Sequence, residues 1–245
     1  MALDNIIQTK NLTKRFGGVT AVDQVNFSLS HGELRCLIGP NGAGKSTFFK
    51  CLTGQHEPSE GEVNVAGISV GGAGSDRIAN LGVGIKTQVP SVFEGLNVAE
   101  NIWLSACKNS NRKQADELTD RWITKFNLQD IAYKNTSQLA HGQRQWVEMA
   151  MVTVNEPKLV LLDEPTAGMT RDEVALTAEF IKEINEVSAV IVVEHDMQFI
   201  KSIANRVTVF HQGKVILEDE VDVVLNNPQV REIYLGNTQI GSRDA

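Results

Sequence analysis

The chain has 245 residues, of which 42% are hydrophobic and 22% are charged, and its formal net charge at pH 7 is −7. This length allows one large core, or a core with a smaller subdomain. The acidic balance argues against a dominant nucleic-acid surface, because phosphate neutralisation requires clustered lysine and arginine. No apolar run approaches the ~20 residues of a membrane-spanning helix, so we expect any membrane role to act through a partner.

The first third of the chain is predicted to form strands around a glycine-rich loop. Two short strands open the chain, and alternating apolar side chains mark the second of them, at Val25, Phe27 and Leu29. The nearly all-apolar run Leu34–Ile38 predicts a central strand that leads directly into the glycine loop. A helix is then expected at Lys45–Leu52, followed by a strand at Glu62–Ala66.

Between about residues 88 and 155 the pattern is helical. A strand predicted at Gly84–Thr87 ends where this region begins. The periodicity of apolar residues predicts three helices, at Val98–Cys107, Lys113–Phe126 and Gln143–Thr153. We therefore expect an all-helical insertion between two strands of the main core.

The core is predicted to resume after the insertion. Thr170 and Glu173 form a capping-box pattern, in which the two side chains satisfy free N–H groups at a helix start. The remaining predicted elements are strands at Leu159–Leu162 and Ala189–Val193, a helix at Met197–Ala204, and a hairpin of Val207–His211 with Lys214–Leu217. Alternating strands and helices favour an α/β core with a mostly parallel sheet, followed by a polar tail at Gly236–Ala245.

The segment Gly39-Pro-Asn-Gly-Ala-Gly-Lys-Ser-Thr47 has the pattern of a phosphate-binding loop. Its glycines let the backbone wrap closely around phosphate oxygens, and the helix N-terminus that follows favours an anion. Lys45 is expected to reach the β- and γ-phosphates of a nucleotide triphosphate, while the Ser46 hydroxyl is expected to ligate Mg²⁺. The residues predicted to contact the nucleotide here are Gly39, Pro40, Asn41, Gly42, Ala43, Gly44, Lys45, Ser46 and Thr47.

Two acidic residues and a histidine follow later apolar strands. Asp163 ends one strand and is predicted to hold Mg²⁺, while Glu164 is placed to orient and deprotonate the attacking water. General-base help of this kind gives on the order of 10²–10⁴ in rate. His195 ends another strand and is expected to contact the γ-phosphate. Taken alone, Asp163 and Glu164 could be a solvent-facing acidic pair, and His195 could have a structural role. The phosphate loop earlier in the chain favours catalytic roles for all three.

The order of these segments resembles the nucleotide-binding domains of ATP-binding cassette (ABC) proteins. Leu139-Ala-His-Gly-Gln143 is similar to the signature motif of that family, usually L-S-G-G-Q. The resemblance implies that two such domains pair head to tail, with each ATP held between one phosphate loop and the other domain's signature. The residues expected to contact ATP in trans are Ala140, His141, Gly142 and Gln143.

The resemblance also implies a P-loop NTPase core with a mostly parallel sheet, antiparallel N-terminal strands and an inserted helical subdomain. We predict an ATP-binding core at residues 1–87 and 156–220, a helical signature subdomain at 88–155 and a C-terminal helical tail at 221–245. By position, Gln88 matches the family's glutamine that approaches Mg²⁺ and the attacking water, and it joins Glu164, His195 and Lys45 as a catalytic residue. Phe16 matches the aromatic that stacks on adenine; the alternative is an ordinary core phenylalanine.

The subfamily is indicated by several short segments, among them Gly32–Cys36, Ala167–Thr170 and Val193–Met197. Together with Trp146 and the ending Asn227–Gly236, they resemble ATPase subunits of urea importers, within the branched-chain amino acid and amide importer group. This resemblance implies a cytoplasmic ATPase at the inner face of the membrane that drives uptake of urea or a short amide. Its expected partners are permease subunits, an identical or different second ABC ATPase subunit and, indirectly, an extracytoplasmic binding protein, with no nucleic acid.

Other functions stay open at this point. The chain could be a branched-chain amino acid importer ATPase, a lipopolysaccharide-type exporter ATPase, or a soluble ABC ATPase of translation or DNA repair. A regulatory module without turnover is a further alternative, although Lys45, Asp163, Glu164 and His195 are all present. One departure concerns the signature: Ala140 replaces the usual serine and cannot supply a hydroxyl to the partner's γ-phosphate, which predicts weaker binding or slower turnover.

The stretch that follows Gln88 is unusually apolar for a loop. It runs Val89-Pro-Ser-Val-Phe-Glu-Gly-Leu96. We expect Val92, Phe93 and Leu96 to dock a membrane partner, the alternative being that they pack the insertion's own small core.

Finally, cysteine usage and the N-terminus indicate a reducing cytosol. The N-terminal segment Met1–Asn5 lacks the basic-then-apolar order of a signal peptide, and Cys36, Cys51 and Cys107 lack metal-ligand spacing.

Overall fold

The computed structural model describes residues 5–72, 74–88 and 91–236. The strands are β1 (Asn5–Phe16), β2 (Val19–Ser30), β3 (Leu34–Ile38), β4 (Glu60–Val65), β5 (Ile68–Ser69), β6 (Val83–Lys86), β7 (Leu159–Asp163), β8 (Ala189–Val193), β9 (Arg206–His211) and β10 (Lys214–Glu220). The α-helices are α1 (Lys45–Leu52), α2 (Ser75–Asn80), α3 (Val98–Ala106), α4 (Arg112–Lys125), α5 (His141–Thr153), α6 (Arg171–Asn185), α7 (Met197–Ile203), α8 (Val221–Asn226) and α9 (Pro228–Gly236). Val89, Pro90 and the tail from residue 237 onward lie outside the described residues.

The main sheet has six strands in the order β10-β9-β3-β8-β7-β6. All neighbouring pairs are parallel except β10 with β9. Every residue of β3 and β8 is buried, as expected for central strands of a parallel sheet that is covered on both faces. This sheet confirms the predicted α/β core.

A second sheet of four strands has the order β2-β1-β4-β5 and is antiparallel. The prediction of two short opening strands was wrong, since β1 and β2 each have 12 residues and are joined across Gly17-Gly18. Polar residues and several register shifts interrupt the alternation of β1, so the sequence pattern understated its length. Strand β5 and helix α2 were not predicted, because both are short and depend on tertiary neighbours.

Helices α3, α4 and α5 lie between β6 and β7 in chain order, which confirms the predicted helical insertion. Asn97 and Asn111 begin α3 and α4 with capping boxes. Trp122 of α4 is buried and packs edge-on against Phe126, which in turn contacts Phe180 of α6. Aromatic packing therefore joins the insertion to the main core.

Within the part of the chain that the structure describes, no helix has both the length and the apolar character to cross a membrane.

Candidate active site

The predicted catalytic residues meet at the carboxyl edge of the main sheet. Asp163 is the last residue of β7 and pairs in register with Val193 at the end of β8. Val193 also pairs with Leu37, near the end of β3 and just before the phosphate loop. Parallel strands therefore bring Glu164, His195 and the phosphate loop to one place, the usual ligand position in such sheets.

The phosphate loop needs glycine at two of its positions. At Gly39, whose φ is +150°, an added Cβ would lie 2.2 Å from the backbone oxygen of Phe210. At Gly44, whose φ is +102°, it would lie 2.4 Å from the backbone oxygen of Ala21. These contacts explain the loop's glycines by packing against the core as well as by closeness to phosphate.

Lys45 supplies the positive charge of this loop. Its Nζ donates hydrogen bonds to the carbonyl oxygens of Gly39, at 2.6 Å, and Pro40, at 3.2 Å. Burial lowers the pKa of Lys45, while the negative charges of Glu164 and Asp163 act in the opposite direction. The ammonium group is thus held inside the loop in which the phosphates are predicted to bind, beside the two carboxylates. Ser46 follows it as an exposed side chain.

Gln88 and His195 both approach the Glu164 carboxylate. Gln88 Nε2 donates to Glu164 Oε2 at 2.8 Å, and His195 Nδ1 lies 3.9 Å from Glu164 Oε1. Glu164 has a left-handed backbone, with φ of +46°, and its N–H donates to the carbonyl of Val193 at 2.9 Å. This conformation is strained for a non-glycine residue, and the surrounding contacts compensate the strain.

Asp163 has the chemistry expected of a Mg²⁺ ligand. Burial raises the pKa of its carboxyl group, and the charge of Glu164 raises it further, while Lys86, Lys50 and Lys45 lower it. The carboxylate of Asp163, the hydroxyl of Ser46 and the amide oxygen of Gln88 are hard oxygen donors of the kind that Mg²⁺ prefers. Among the described residues there is no cluster of three or more His, Cys, Asp or Glu side chains that could hold a metal.

Glu194 was not assigned a role from the sequence. It is 1% exposed, and its Oε1 accepts hydrogen bonds from the Thr166 N–H, at 3.1 Å, and the Thr166 hydroxyl, at 2.6 Å. Its Oε2 accepts from the His195 N–H at 3.1 Å. Glu194 thus fixes the backbone of His195 relative to the loop after Pro165. The sequence feature that could have indicated this role is a charged residue that directly follows an all-apolar strand.

Phe16 is not a core residue in this structure. Its ring is 45% exposed, lies edge-on to His56 with ring centroids 5.2 Å apart, and has Lys14 Nζ 5.0 Å from its centroid. An exposed ring is available to stack on a base, so the adenine role stays a prediction. His56 beside it was missed by the sequence analysis.

The signature residues lie at the start of α5, which begins two residues earlier than predicted. The Ala140 N–H donates to Gln143 Oε1 at 3.1 Å. The Ala140 side chain has no oxygen that could accept the Gln143 N–H, so only half of a capping box is present. His141 Nε2 lies 3.1 Å from the carbonyl oxygen of Ala167. A Cβ on Gly142 would lie 2.4 Å from Glu173 Oε1. The signature is therefore packed against the Ala167–Thr170 loop and the start of α6, where Thr170 and Glu173 form the predicted capping box.

A buried ion pair connects the segment around Gln88 with the signature helix. Lys86 Nζ lies 3.7 Å from Glu148 Oε2, and both side chains are buried. Burial lowers the pKa of Lys86 and raises the pKa of Glu148, and each charge opposes the other's shift. Glu148 Oε1 also accepts a hydrogen bond from the Ser91 N–H at 3.0 Å. Nothing in the sequence around either residue predicts this pair.

The nucleotide cavity of the chain collects several of the predicted site residues. The described residues that line it are Gly39, Pro40, Asn41, Gln88, Glu164, His195 and Tyr234. This lining holds three predicted catalytic residues and the start of the phosphate loop, but none of residues 140–143. The structure thus brings Gln88, Glu164, His195 and residues 39–41 together in one cavity that residues 140–143 do not line.

Comparison with known proteins agrees with this geometry. The sequence profile of the ABC transporter family matches residues 22–167. The chain is similar to the high-affinity branched-chain amino acid transport ATP-binding protein BraF of Pseudomonas aeruginosa, with 32% identity over 94% of this chain and 98% of that protein.

Two solved structures resemble the fold. The ADP conformation of MJ1267, an ATP-binding cassette of an ABC transporter, has a TM-score of 0.83 at 24% identity, over 95% of this chain and 99% of that one. A dimeric post-hydrolysis state of the cassette MJ0796, bound to ADP and Pi, has a TM-score of 0.77 at 24% identity, over 88% of this chain and 98% of that one. From the family match, the similarity to BraF and the assembled site, the chain belongs to the ABC transporter family and is one of its ATPases.

Proposed function

We propose that this protein is the ATPase subunit of an importer for a small polar solute, with branched-chain amino acids as the first candidate. The similarity to BraF over nearly the whole length of both chains supports this solute class. Urea or a short amide is the second candidate, on the resemblance of Gly32–Cys36 and Val193–Met197 to urea-importer ATPases. The ATPase itself is not expected to touch the solute in either case.

One of the urea-type segments has a structural role. Arg35 is buried in β3, where its guanidinium group donates to Thr208 Oγ1 at 2.9 Å and pairs with Glu218 Oε2 at 2.6 Å and with Glu33. These contacts fix the β9–β10 hairpin against the central strand. Because the contacts of Arg35 explain its presence by packing in the core, this residue is weak support for urea as the solute. We therefore place branched-chain amino acids first.

The hydrogen bond between Gln88 and Glu164 is the observation that supports the proposed mechanism of ATP hydrolysis. Phosphate oxygens would replace the loop carbonyls that Lys45 now contacts. Ser46 and Asp163 would hold Mg²⁺, which supplies charge neutralisation on the phosphates. Glu164 would orient the attacking water and accept its proton, and His195 would contact the terminal phosphate. Because Gln88 begins the helical insertion, a shift of that segment would move the Glu164 carboxylate.

We further propose that two cassettes, identical or different, close on two nucleotides. The lining of the nucleotide cavity, which lacks the signature, supports this arrangement. Residues Ala140, His141, Gly142 and Gln143 of one cassette would then complete the site of the other. The dimeric relative bound to ADP and Pi is consistent with such a pairing.

The permease would dock beside Phe93, which would hold the ATPase at the inner face of the membrane. The Phe93 side chain is 58% exposed, whereas Val92 packs against the core and Leu96 is half-buried. Buried Asn101 fixes the Phe93 backbone: its Oδ1 accepts the N–H at 2.7 Å and its Nδ2 donates to the carbonyl at 3.1 Å. Phe93 lines a groove of about 520 Å³ together with Leu104, Met151 and Pro157.

The docking surface is tested by exchanging single exposed side chains. We expect Phe93→Asp to weaken co-purification with the permease and solute uptake, while ATP binding by the isolated chain is unchanged. Tyr133→Asp is the matched control, because Tyr133 is an exposed aromatic outside this groove. Normal co-purification and uptake by folded Phe93→Asp would place the docking surface elsewhere.

The solute is tested in proteoliposomes that contain the permeases, both ATPase subunits and the external binding protein. ATP-dependent accumulation of radiolabelled leucine, with no accumulation of urea, is the expected result. Uptake of urea alone would support the second candidate. ATP hydrolysis without uptake of any solute, in a complex that carries its binding protein, would contradict the importer proposal.

A further inference from the structure

The loop that joins α1 to β4, residues 53–59, lies beside the exposed ring of Phe16. Phe16 is the last residue of β1, and the half-buried His56 of this loop packs against it. The two ring centroids are 5.2 Å apart and the ring planes cross at 71°. Such edge-to-face packing is a preferred arrangement of aromatic pairs. His56 belongs to none of the nucleotide-binding motifs, so those motifs do not explain the contact.

Hydrogen bonds hold this loop at the end of β1. The Ser59 N–H donates to the carbonyl of Thr13 at 2.8 Å, and the Arg15 N–H donates to Ser59 Oγ at 3.0 Å. At the other end of the loop, the His56 N–H donates to the carbonyl of Lys50 in α1 at 3.0 Å. None of these bonds uses the His56 ring. Replacement of the ring should therefore leave the loop in place.

A second contact on Phe16 also depends on this loop. Lys14 Nζ lies over the Phe16 ring, 5.0 Å from its centroid, and donates to the carbonyl of Glu57 at 2.8 Å. An ammonium group in this position is attracted by the face of the ring. Phe16 is thus held by Lys14 and by His56, while 45% of it stays exposed. The ring is both oriented and accessible, which suits it to stack on a base.

We propose that His56 is a positioning residue of the nucleotide site, whose ring holds Phe16 in the orientation in which Phe16 stacks on the adenine of ATP. His56 would act through Phe16 and would not itself touch the base. A ring that is already held loses less conformational freedom when it stacks, so more of the stacking energy remains as affinity. This inference rests on the ATP binding of the proposed function and on the adenine role predicted for Phe16.

The test separates the base from the phosphates. Titration calorimetry on the full chain compares adenylyl imidodiphosphate, an ATP analogue, with inorganic tripolyphosphate, which has no base, both with Mg²⁺. We expect His56→Ala to weaken binding of the analogue about two- to tenfold, the range for loss of one aromatic contact, and to leave tripolyphosphate binding unchanged. His56→Phe keeps an aromatic ring and should restore binding of the analogue. His31→Ala is the matched control, because His31 is exposed in the turn between β2 and β3.

A second non-aromatic variant keeps the proposal falsifiable. His56→Gln should show the same selective loss as His56→Ala, with thermal unfolding of the free protein as the check on folding. An equal loss for the analogue and for tripolyphosphate, or no loss for either, would overturn the proposal. Failure of His56→Phe to restore binding would also overturn it, since a ring at this position would then not be what matters.

A double-variant cycle with Phe16 tests whether His56 acts through that ring. We expect Phe16→Ala to weaken binding of the analogue selectively, and His56→Ala to add no further loss in the Phe16→Ala protein. A further loss there would mean that His56 contacts the base itself, against the proposal. If Phe16→Ala left binding of the analogue unchanged, the inference would fail while the ATPase function stood. Failure of the unaltered chain to bind the analogue and tripolyphosphate would instead contradict the proposed function.

Discussion

Gln88 Nε2 and Glu164 Oε2 are joined by a hydrogen bond of 2.8 Å, although the two residues are 76 positions apart in the chain. The bond links the first residue of the helical insertion to the predicted catalytic base of the core. It gives a direct route by which a displacement of the insertion would reach the nucleotide site. We therefore expect a partner bound to the insertion to influence ATP hydrolysis through this bond.

We expect Glu164→Gln to lower ATP turnover by on the order of 10²–10⁴, because the amide cannot accept a proton from water. ATP binding should be kept, and unconsumed ATP should hold two cassettes together. Steady-state hydrolysis and size-exclusion chromatography with Mg·ATP measure the two effects. Glu179→Gln, on the exposed face of α6, is the matched control. Turnover near that of the control would rule out Glu164 as the base.

We expect Ala140→Ser to stabilise the free protein and to raise, or at least not lower, ATP turnover. The Gln143 side chain already accepts the Ala140 N–H, so a serine hydroxyl would complete a capping box, worth ~1 kcal/mol. In the closed dimer the same hydroxyl could donate to the partner's phosphate. Thermal unfolding and turnover by the assembled transporter check the two parts. Ala140→Val adds bulk without a hydroxyl, and an equal gain from it would contradict this explanation.

We expect Asp163→Asn to stabilise the nucleotide-free protein while abolishing Mg²⁺-dependent hydrolysis. The folded-state pKa of Asp163 is raised, chiefly by burial. As pH rises, the unfolded chain therefore loses its proton first, and the folded state is penalised at all higher pH values. The variant removes this penalty, so its unfolding midpoint at pH 7 should rise.

The pH dependence checks the sign of that effect. The difference between Asp163→Asn and the unaltered protein should shrink as pH falls below the raised pKa of the folded state. It should vanish below the ordinary aspartate pKa of about 3.9, where Asp163 is protonated in the folded and the unfolded state. Calorimetric melts at several pH values measure it. A variant that is less stable than the unaltered protein at pH 7 would show that ionised Asp163 is stabilised by its lysine neighbours rather than destabilised by burial.

We expect Lys86 and Glu148 to be strongly coupled in stability. Lys86→Met or Glu148→Gln alone leaves one buried charge without its partner, at a cost of about 3–5 kcal/mol. The double variant should recover most of this loss, because both charges are gone and the amide can still accept from the Ser91 N–H. Urea unfolding of the four proteins gives the coupling energy.

The exposed pair Lys113 and Glu117 provides the control cycle for this experiment. Its side chains are well exposed, and their nitrogen and oxygen atoms lie 3.9 Å apart. Surface pairs of this kind are worth about 0–1 kcal/mol, so we expect little coupling between Lys113→Met and Glu117→Gln. Additive losses at Lys86 and Glu148, like those of the control, would mean that the buried pair is not a unit.

The sequence alone determined the elements that local pattern specifies. The apolar runs at Leu34–Ile38 and Ala189–Val193 predicted buried strands. The spacing of glycine, lysine and serine from Gly39 to Thr47 predicted phosphate binding. The Thr170 capping box depends on residues three positions apart, so it too was predictable. These features are short-range, and the physical causes that produce them lie within a few neighbouring residues.

Only the tertiary structure decided what depends on partners far apart in the chain. The lengths of β1 and β2 follow from their mutual pairing, and the exposure of Phe16 follows from where β1 ends. Lys86 and Glu148 are 62 positions apart, and nothing in either neighbourhood shows that the two charges are buried together. His56 looks like an ordinary loop histidine until folding brings it to the ring of Phe16. Burial and electrostatic interactions are properties of the packed chain, and for these residues the packing decided the role.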